Sequence, residues 1–305
     1  SYKYFPTPSP GENNTNGIDE IRNDKVIFSH PSGFYKQTIN INLSTNANDV
    51  SIRYTTDGSS PNNSSKIYNQ SITISKNTVI RAATFYMGQR SGDIFSSSFF
   101  INSEHQLPVV SISTEPDNLF DYNEGILVEG PNAQAADPKY GANYWMDWEK
   151  PVNIEYFDID KQQQINQPAG IKIFGGWSRM NAQKSMAVYA RNSYGNNRFQ
   201  YPLFADRKSQ EYKAFLLRNS GNDWYYAMLR DAYVSEVVKS TDVDRLAYQP
   251  SVVYLNGEYW GILNLREKPN EHYLAANHGV NPNDVNRLEG NRSVIQGNGL
   301  RSEER

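Results

Sequence analysis

The sequence contains no cysteine, which excludes disulfide bonds, thiol catalysis and zinc sites built from cysteine. Its four histidines (His30, His105, His272 and His278) are scattered, so no metal site is predicted. No apolar run approaches the roughly 18 residues that a membrane-spanning helix needs. No cluster of Lys or Arg marks a nucleic-acid surface. We therefore predict no membrane span in this chain and no nucleic-acid partner.

Apolar and aromatic residues are plentiful. The hydrophobic fraction is 38%, with 21 Tyr, 13 Phe and 5 Trp, which supplies enough apolar surface for packed cores. A length of 305 residues suggests two domains, and the net charge is only −3. The polar stretch 1–23 is rich in Pro, Gly and Asn and is interpreted as a linker, the tail of a preceding domain.

Residues 24–102 are predicted to form a small all-β sandwich. Short alternating runs are separated by turn clusters such as Asp57-Gly58-Ser59-Ser60-Pro61, with no helical period between them. The predicted strands are 25–29, 38–43, 50–54, 72–75, 79–85 and 95–101.

Residues 107–305 mix strands and helices. Strands are predicted at 109–113, 152–157, 170–174, 184–191, 215–217, 252–255 and 261–265, with a hairpin at Asn256-Gly257. Tyr226, Leu229, Tyr233 and Val237 recur at helical spacing and predict an amphipathic helix over 224–240. A shorter helix is predicted over 271–277, ended by Gly279. The pattern favours an α+β fold, an antiparallel sheet with packed helices.

One segment has the layout of a phosphate cradle. A strand runs into Gly175 and Gly176, followed by Ser178 and Arg179, and a second strand begins with Lys184. Glycines allow backbone N–H groups to approach oxygens closely, and the polar side chains supply hydrogen bonds and positive charge. The alternative is a hairpin turn with a surface lysine, which the spacing alone favours.

Two further charged residues are candidates for the same site. Arg230 falls within the apolar stripe of the predicted helix, where a charge needs a partner. Glu267 shares a strand face with Leu263 and Leu265 and could pair with Lys184 or Arg230. For both residues, a structural ion pair is the competing interpretation.

Other acidic residues are interpreted as structural. Asp158 and Asp160 fall in a polar hairpin connection, and Asp242 and Asp244 follow the predicted helix and are expected to be solvated. The competing interpretation of the first pair is a metal site. Asn219 or Asp223, lying between a strand and the helix, could cap that helix.

A run of motifs resembles a known family. The motifs are Leu-Pro-Val-Val-Ser-Ile at 107–112, Trp-Glu-Lys-Pro-Val-Asn at 148–153, Gly-Gly-Trp-Ser-Arg at 175–179, Lys-Ser at 184–185, Leu-Arg-Asn-Ser-Gly-Asn-Asp-Trp at 217–224, Met-Leu-Arg-Asp at 228–231, Asn-Gly-Glu-Tyr-Trp-Gly at 256–261, Asn-Leu-Arg-Glu at 264–267 and Leu-Glu-Gly-Asn at 288–291. In this order they resemble the CotH (spore coat protein H) kinase-like family across 107–305.

The resemblance implies an atypical protein-kinase-like fold that binds ATP with Mg²⁺ and phosphorylates Ser or Thr of a protein. It makes 175–179 the phosphate loop and Lys184 the phosphate-contacting lysine, with Arg230 and Glu267 in support. The strand 263–267 would be near the adenine. The family's metal-binding and catalytic Asp/Asn motifs lie C-terminal to the Glu-Gly-Asn element, and the sequence ends at Arg305. We therefore expect a domain truncated at its C-terminus, no catalytic residue within this chain, and no activity from this chain alone.

The first domain resembles the chitobiase/β-hexosaminidase C-terminal domain, an Ig-like sandwich that usually acts as a spacer in large secreted proteins. The likeness is carried by 52–61 and 80–85. It implies an extracytoplasmic bacterial protein, secreted, on the cell surface or in a spore coat, with a coat or surface protein as phosphoacceptor. Two other functions remain open: a non-catalytic structural or assembly module, and a carbohydrate-associated surface protein that holds glycans on the sandwich or on the aromatic stretch 140–148.

Overall fold

The structure is a computed structural model that describes residues 23–289 and 293–296. It is mostly β, with 35% strand and 13% helix. The chain divides into two compact units. The first comprises the residues up to Met146 together with Pro151–Gln167 and Val252–Gly261, and the second comprises Asp147–Lys150, Pro168–Ser251 and the residues from Ile262 onward.

Of the predicted first domain, the described residues 24–102 form only strands, as predicted. They are β1 (Ile27–Phe28), β2 (Gly33–Tyr35), β3 (Ile39–Ile41), β4 (Leu43–Ser44), β5 (Ser51–Thr55), β6 (Lys66–Ile67), β7 (Ile72–Ile74), β8 (Thr78–Tyr86), β9 (Gln89–Arg90) and β10 (Phe95–Ile101). The main sheet has the order β2-β10-β8-β5-β6, with β9 paired to β8, and β1-β4 and β3-β7 form two small sheets. Ile41, Ile74, Ile80 and Phe99 fill the core of this region.

The next seven strands close into a barrel. They are β11 (Val109–Ser113), β12 (Lys150–Phe157), β13 (Gln163–Phe174), β14 (Ser185–Tyr189), β15 (Ala214–Arg218), β16 (Tyr248–Leu255) and β17 (Glu258–Glu267). Their order is β11-β12-β13-β14-β15-β17-β16. β11 pairs with β16 in parallel, with Val109 opposite Val252, and this pairing completes the ring.

Three short α-helices, four 3₁₀ turns and one further pair of strands are the remaining regular elements of the described residues. The helices are α1 (Pro116–Phe120), α2 (Arg230–Val237) and α3 (Glu271–His278), and β18 (Arg287–Glu289) pairs antiparallel with β19 (Ser293–Gln296). Within the residues described, no helix is both long enough and apolar enough to cross a membrane.

The predicted kinase-like α+β fold with packed helices is wrong. The second region is a closed seven-stranded barrel, and the described residues contain only these three short helices. In a closed barrel, side chains of the strands fill the interior, so the sheet does not need helices to cover its inner face. Phe215, Leu217, Leu263 and Leu265 are fully buried on β15 and β17.

The predicted amphipathic helix over 224–240 is also wrong in its length and in its buried face. α2 spans only Arg230–Val237, because Met228 has a positive φ of 57° that breaks the helical path before it. Tyr226, Tyr233 and Val237, which were expected in the core, are 75%, 70% and 59% exposed.

Two local predictions are confirmed. Asn256 and Gly257 have φ of 50° and 84° and form the hairpin turn between β16 and β17. Gly279, with φ of 69°, ends α3, and its N–H donates to the carbonyl of Ala275. Both positions need the left-handed conformation that Asn and Gly adopt at low cost.

Candidate functional site

The glycine loop follows the end of β13. Gly175 has φ of 111°, and a Cβ there would lie 2.9 Å from the Ser178 hydroxyl oxygen. Around Gly176 no atom lies within 4 Å of an added Cβ, so space is open on that side of the loop. A 3₁₀ turn, Trp177–Met180, follows, and Arg179 Nε donates to the Gly175 carbonyl at 2.6 Å. The loop is therefore a fixed turn with an open side at Gly176.

Lys184 lies directly before β14 and is only 4% exposed. Its ammonium group donates to the Asn181 carbonyl at 3.0 Å. The alternative of a surface lysine is wrong, because this cation is buried. A buried ammonium exerts a stronger electric field on its surroundings than a solvated one.

Asn219 connects the glycine loop to the end of β15. It is fully buried, and its amide nitrogen donates to the carbonyls of Ser178 and Gln183 at 3.2 and 2.8 Å. Its amide oxygen accepts from the Ser185 hydroxyl at 2.8 Å. Asn219 was predicted as a helix cap, with catalysis as the alternative, so this role was missed. The sequence feature that could have indicated this role is the position of Asn219 directly after an apolar strand.

Asp223 lies before α2 and binds backbone N–H groups at the start of that helix. Its Oδ2 accepts from the backbone N–H groups of Leu229 and Arg230 at 2.9 and 3.0 Å, as one of the two predicted capping candidates. These hydrogen bonds, led by that of Arg230, hold the pKa of Asp223 below its usual value. The Arg230 guanidinium lies 3.3 Å from Asp223 Oδ1, which supplies the partner that was expected for this charge. Arg230 itself is exposed, because the stripe it belongs to is exposed.

A second cluster of charged side chains joins α2 to the barrel through Asp231. Asp231 Oδ2 is 2.9 Å from Arg218 Nε on β15 and 2.9 Å from an amino nitrogen of Arg266 on β17. Desolvation lowers the pKa of Arg266, and the Asp231 carboxylate counteracts that effect. Asp231 and Arg266 fall within the motifs at 228–231 and 264–267, but neither was predicted as a site residue, because the spacing along the chain does not show that they meet.

Glu267 lies elsewhere in the second unit. Its carboxylate is 2.7 Å from the Arg207 guanidinium and accepts from the backbone N–H of Ala247 and the amide of Asn277. In the barrel, Asn264 of β17 lies opposite Arg218 of β15. Glu267 is three residues further along β17, so at the usual rise of a strand it lies about 10 Å from Asn264. The structural ion pair considered for Glu267 is present. The glycine loop, Lys184 and Arg230 are gathered around Asn219 and Asp223, whereas Glu267 is bonded to a different set of residues.

The other acidic candidates are structural. Asp158 accepts from the backbone N–H of Gln162 and from the Gln164 side chain within its hairpin. Asp244 accepts from the Tyr273 hydroxyl. No group of three His, Asp or Glu side chains in the described part of the chain could hold a metal ion.

Two protein-family models match the chain. The chitobiase/beta-hexosaminidase C-terminal domain matches residues 30–96, and the CotH kinase protein family matches residues 171–304. The chain therefore carries a CotH-type domain. The expected order of the two domains is confirmed, and the CotH match contains the glycine loop, Lys184, Asn219 and Arg230. A comparison with curated proteins found no match.

Proposed function

We propose that the glycine-loop end of the CotH-type domain binds the phosphate groups of ATP, as part of a protein Ser/Thr kinase. The observation that carries this proposal is the burial of Lys184 beside a glycine loop that is held in place by Asn219. Arg179, in the loop itself, is half-buried, and desolvation lowers the pKa of its guanidinium. A cation that has already lost part of its hydration loses less when it meets an anion.

The loop has the features that a phosphate ligand requires. Gly176 leaves open space where the backbone would approach oxygen atoms, and Lys184, Arg179 and Arg230 provide positive charge. When bound, ATP supplies the phosphoryl group that is transferred. Lys184 would orient the phosphates and offset their charge, and Asn219 would keep the loop and β15 in register for that contact.

The described residues contain no cluster of three His, Asp or Glu side chains to which a Mg²⁺ ion could be assigned. We therefore assign no metal ligand in this chain. An extracytoplasmic location and a coat or surface protein as phosphoacceptor belong to the same proposal and are supported by the domain order alone.

The proposal is tested on the full-length protein with γ-labelled ATP and Mg²⁺, because this chain alone is expected to be inactive. Lys184→Met removes the ammonium and keeps an apolar stem for packing, and Lys208→Met changes an exposed lysine of the same unit as a control. We expect label on serine or threonine with the wild type and the control, and loss of label with Lys184→Met. Absence of both transfer and ATP binding in the wild type would instead favour the structural or assembly module.

A further inference from the structure

A cavity lies in the second unit, between the segment that precedes β15 and helix α3. It has a volume of about 310 Å³. The charged and ionisable side chains that line it are Arg198, Glu211, Lys213, Glu267, Lys268 and His272. Lys213 directly precedes β15, and the glycine-loop network begins at the other end of that strand, at Asn219.

The two carboxylates that line the cavity are already paired. Glu211 is 3.2 Å from Arg198 Nε, and Glu267 is 2.7 Å from Arg207. Nearby Glu271 lies 3.7 Å from Arg287 and 3.4 Å from His272. The acidic groups of this region are thus close to cations other than the two lysines of the cavity.

Lys213 and Lys268 form no ion pair with any residue in the described part of the chain. Both are partly buried. The Lys268 ammonium lies 5.6 Å from the ring centre of Tyr189 and 5.8 Å from that of Phe174, and these aromatic contacts leave its hydrogen-bond donors available.

The causes of the pKa shifts of His272 and Lys268 indicate the sign of the electrostatic potential in the cavity. The pKa of His272 is lowered by desolvation and then by the positive charges of Lys213 and Arg198, with Glu271 acting against them. The pKa of Lys268 is lowered by desolvation and then by Arg287. The cavity lining has excess positive charge, because Arg198, Lys213 and Lys268 outnumber the two carboxylates of Glu211 and Glu267.

We propose that this cavity binds a compact anion that carries at least two phosphate or carboxylate groups, with Lys213 and Lys268 as its charged contacts. A cavity of about 310 Å³ has room for such an ion but lies at the lower end of the volumes that hold larger ligands. The site is separate from the phosphate loop proposed above and does not depend on that proposal.

The test uses pyrophosphate and citrate as probes, in calorimetry and in NMR titration of His272. All measurements are made in a Lys184→Met background, which removes the ammonium of the glycine loop. Lys213→Gln and Lys268→Gln neutralise the two contacts and keep long side chains. Lys208→Gln neutralises an exposed lysine in the segment before β15 that does not line the cavity, and serves as the matched control.

We expect at least one probe to bind and to raise the pKa of His272, because the bound anion offsets the charges of Lys213 and Arg198. Each lysine variant should weaken that binding about tenfold or more, and the control should not. Binding of pyrophosphate alone would identify a phosphate site, and binding of citrate alone would identify a carboxylate site. Failure of both probes, or binding that survives both lysine substitutions, would overturn the proposal.

Discussion

The Glu155 carboxylate has a pKa well above the usual value for a glutamate. It is 1% exposed on β12, and its oxygens accept from the Ser98 N–H at 3.3 Å, from the Gln163 amide at 2.7 Å and from the Ser98 hydroxyl. All of these donors are neutral. Burial therefore raises the pKa of Glu155 from 4.5 to about 7, despite the hydrogen bonds that favour the charged form.

This shift predicts a pH-dependent stability. Because the pKa is higher in the folded protein, the stabilisation is fully present below about pH 4.5 and is lost as the pH rises through about 7. The shift corresponds to a loss of up to about 3 kcal/mol. Urea unfolding at several pH values should show this decline in the wild type and a much flatter profile in Glu155→Gln. Parallel profiles would contradict the assignment.

At the scale of elements, the hairpin between β16 and β17 packs closely against a turn of the first domain. A Cβ on Gly58, which has φ of 91°, would lie 2.1 Å from Asn256 Oδ1. That same oxygen accepts from the Thr114 N–H at 2.8 Å. Position 58 therefore accommodates only glycine, because any side chain there would collide with Asn256 of the hairpin turn.

Gly58→Ala and Gly88→Ala form a matched pair of tests. Gly88 has φ of 78°, but a Cβ there would meet nothing closer than 3.9 Å. Both substitutions incur the backbone cost of roughly 1–2 kcal/mol. Gly58→Ala should cost roughly 1–3 kcal/mol more, because Asn256 must move away from Thr114. Denaturant unfolding of the two variants measures the difference, and equal losses would show that the hairpin contact contributes nothing.

Strand positions were predictable from the sequence, but the closure of the barrel was not. Alternating apolar residues mark each strand locally, whereas the ring depends on the parallel pairing of Val109 with Val252, which no local pattern encodes. The helix over 224–240 failed for a related reason. Its spacing is helical, but Asp223 and the positive φ of Met228 set the start of α2 at Arg230.

The candidate site was predictable to a similar extent. The order strand, glycines, strand and lysine was sufficient to locate Gly175 and Lys184 in one loop region. The contacts that hold this region come from Asn219, 34 residues beyond Ser185, and required the fold to be known. Glu267 was predicted to pair with Lys184 or Arg230, but it pairs with Arg207. Periodicity along a strand predicts which face a side chain lies on, but it does not predict which residue of another segment meets that side chain.

At the scale of the whole molecule, the first domain shares apolar contacts with strands of the barrel. Phe100 of β10 packs against Phe157 at 5.6 Å and Tyr254 at 4.7 Å between ring centres, in a cluster with Val109 and Val252. These residues all belong to the first compact unit, so β10 of the first domain shares a core with β11, β12 and β16 of the barrel. We expect this unit to unfold cooperatively.

Hydrogen exchange of β8 amides tests that cooperativity. Phe157→Ala removes a fully buried ring from β12 and should cost roughly 3–5 kcal/mol. If the core is shared, exchange in β8, which lies in the first domain, should become faster. Met87→Ala changes a side chain that is 83% exposed and should leave exchange unchanged. Unchanged exchange of β8 in Phe157→Ala would show that the first domain is an independent spacer.

Calorimetric titration with Mg-ATP tests most directly whether the buried Lys184 and the glycine loop bind nucleotide phosphates. We predict saturable binding to the wild type and to Lys208→Met, and a loss of about tenfold or more in Lys184→Met, because a charged hydrogen-bond donor is removed. Absence of binding to the wild type, or equal affinity in Lys184→Met, would contradict the claim.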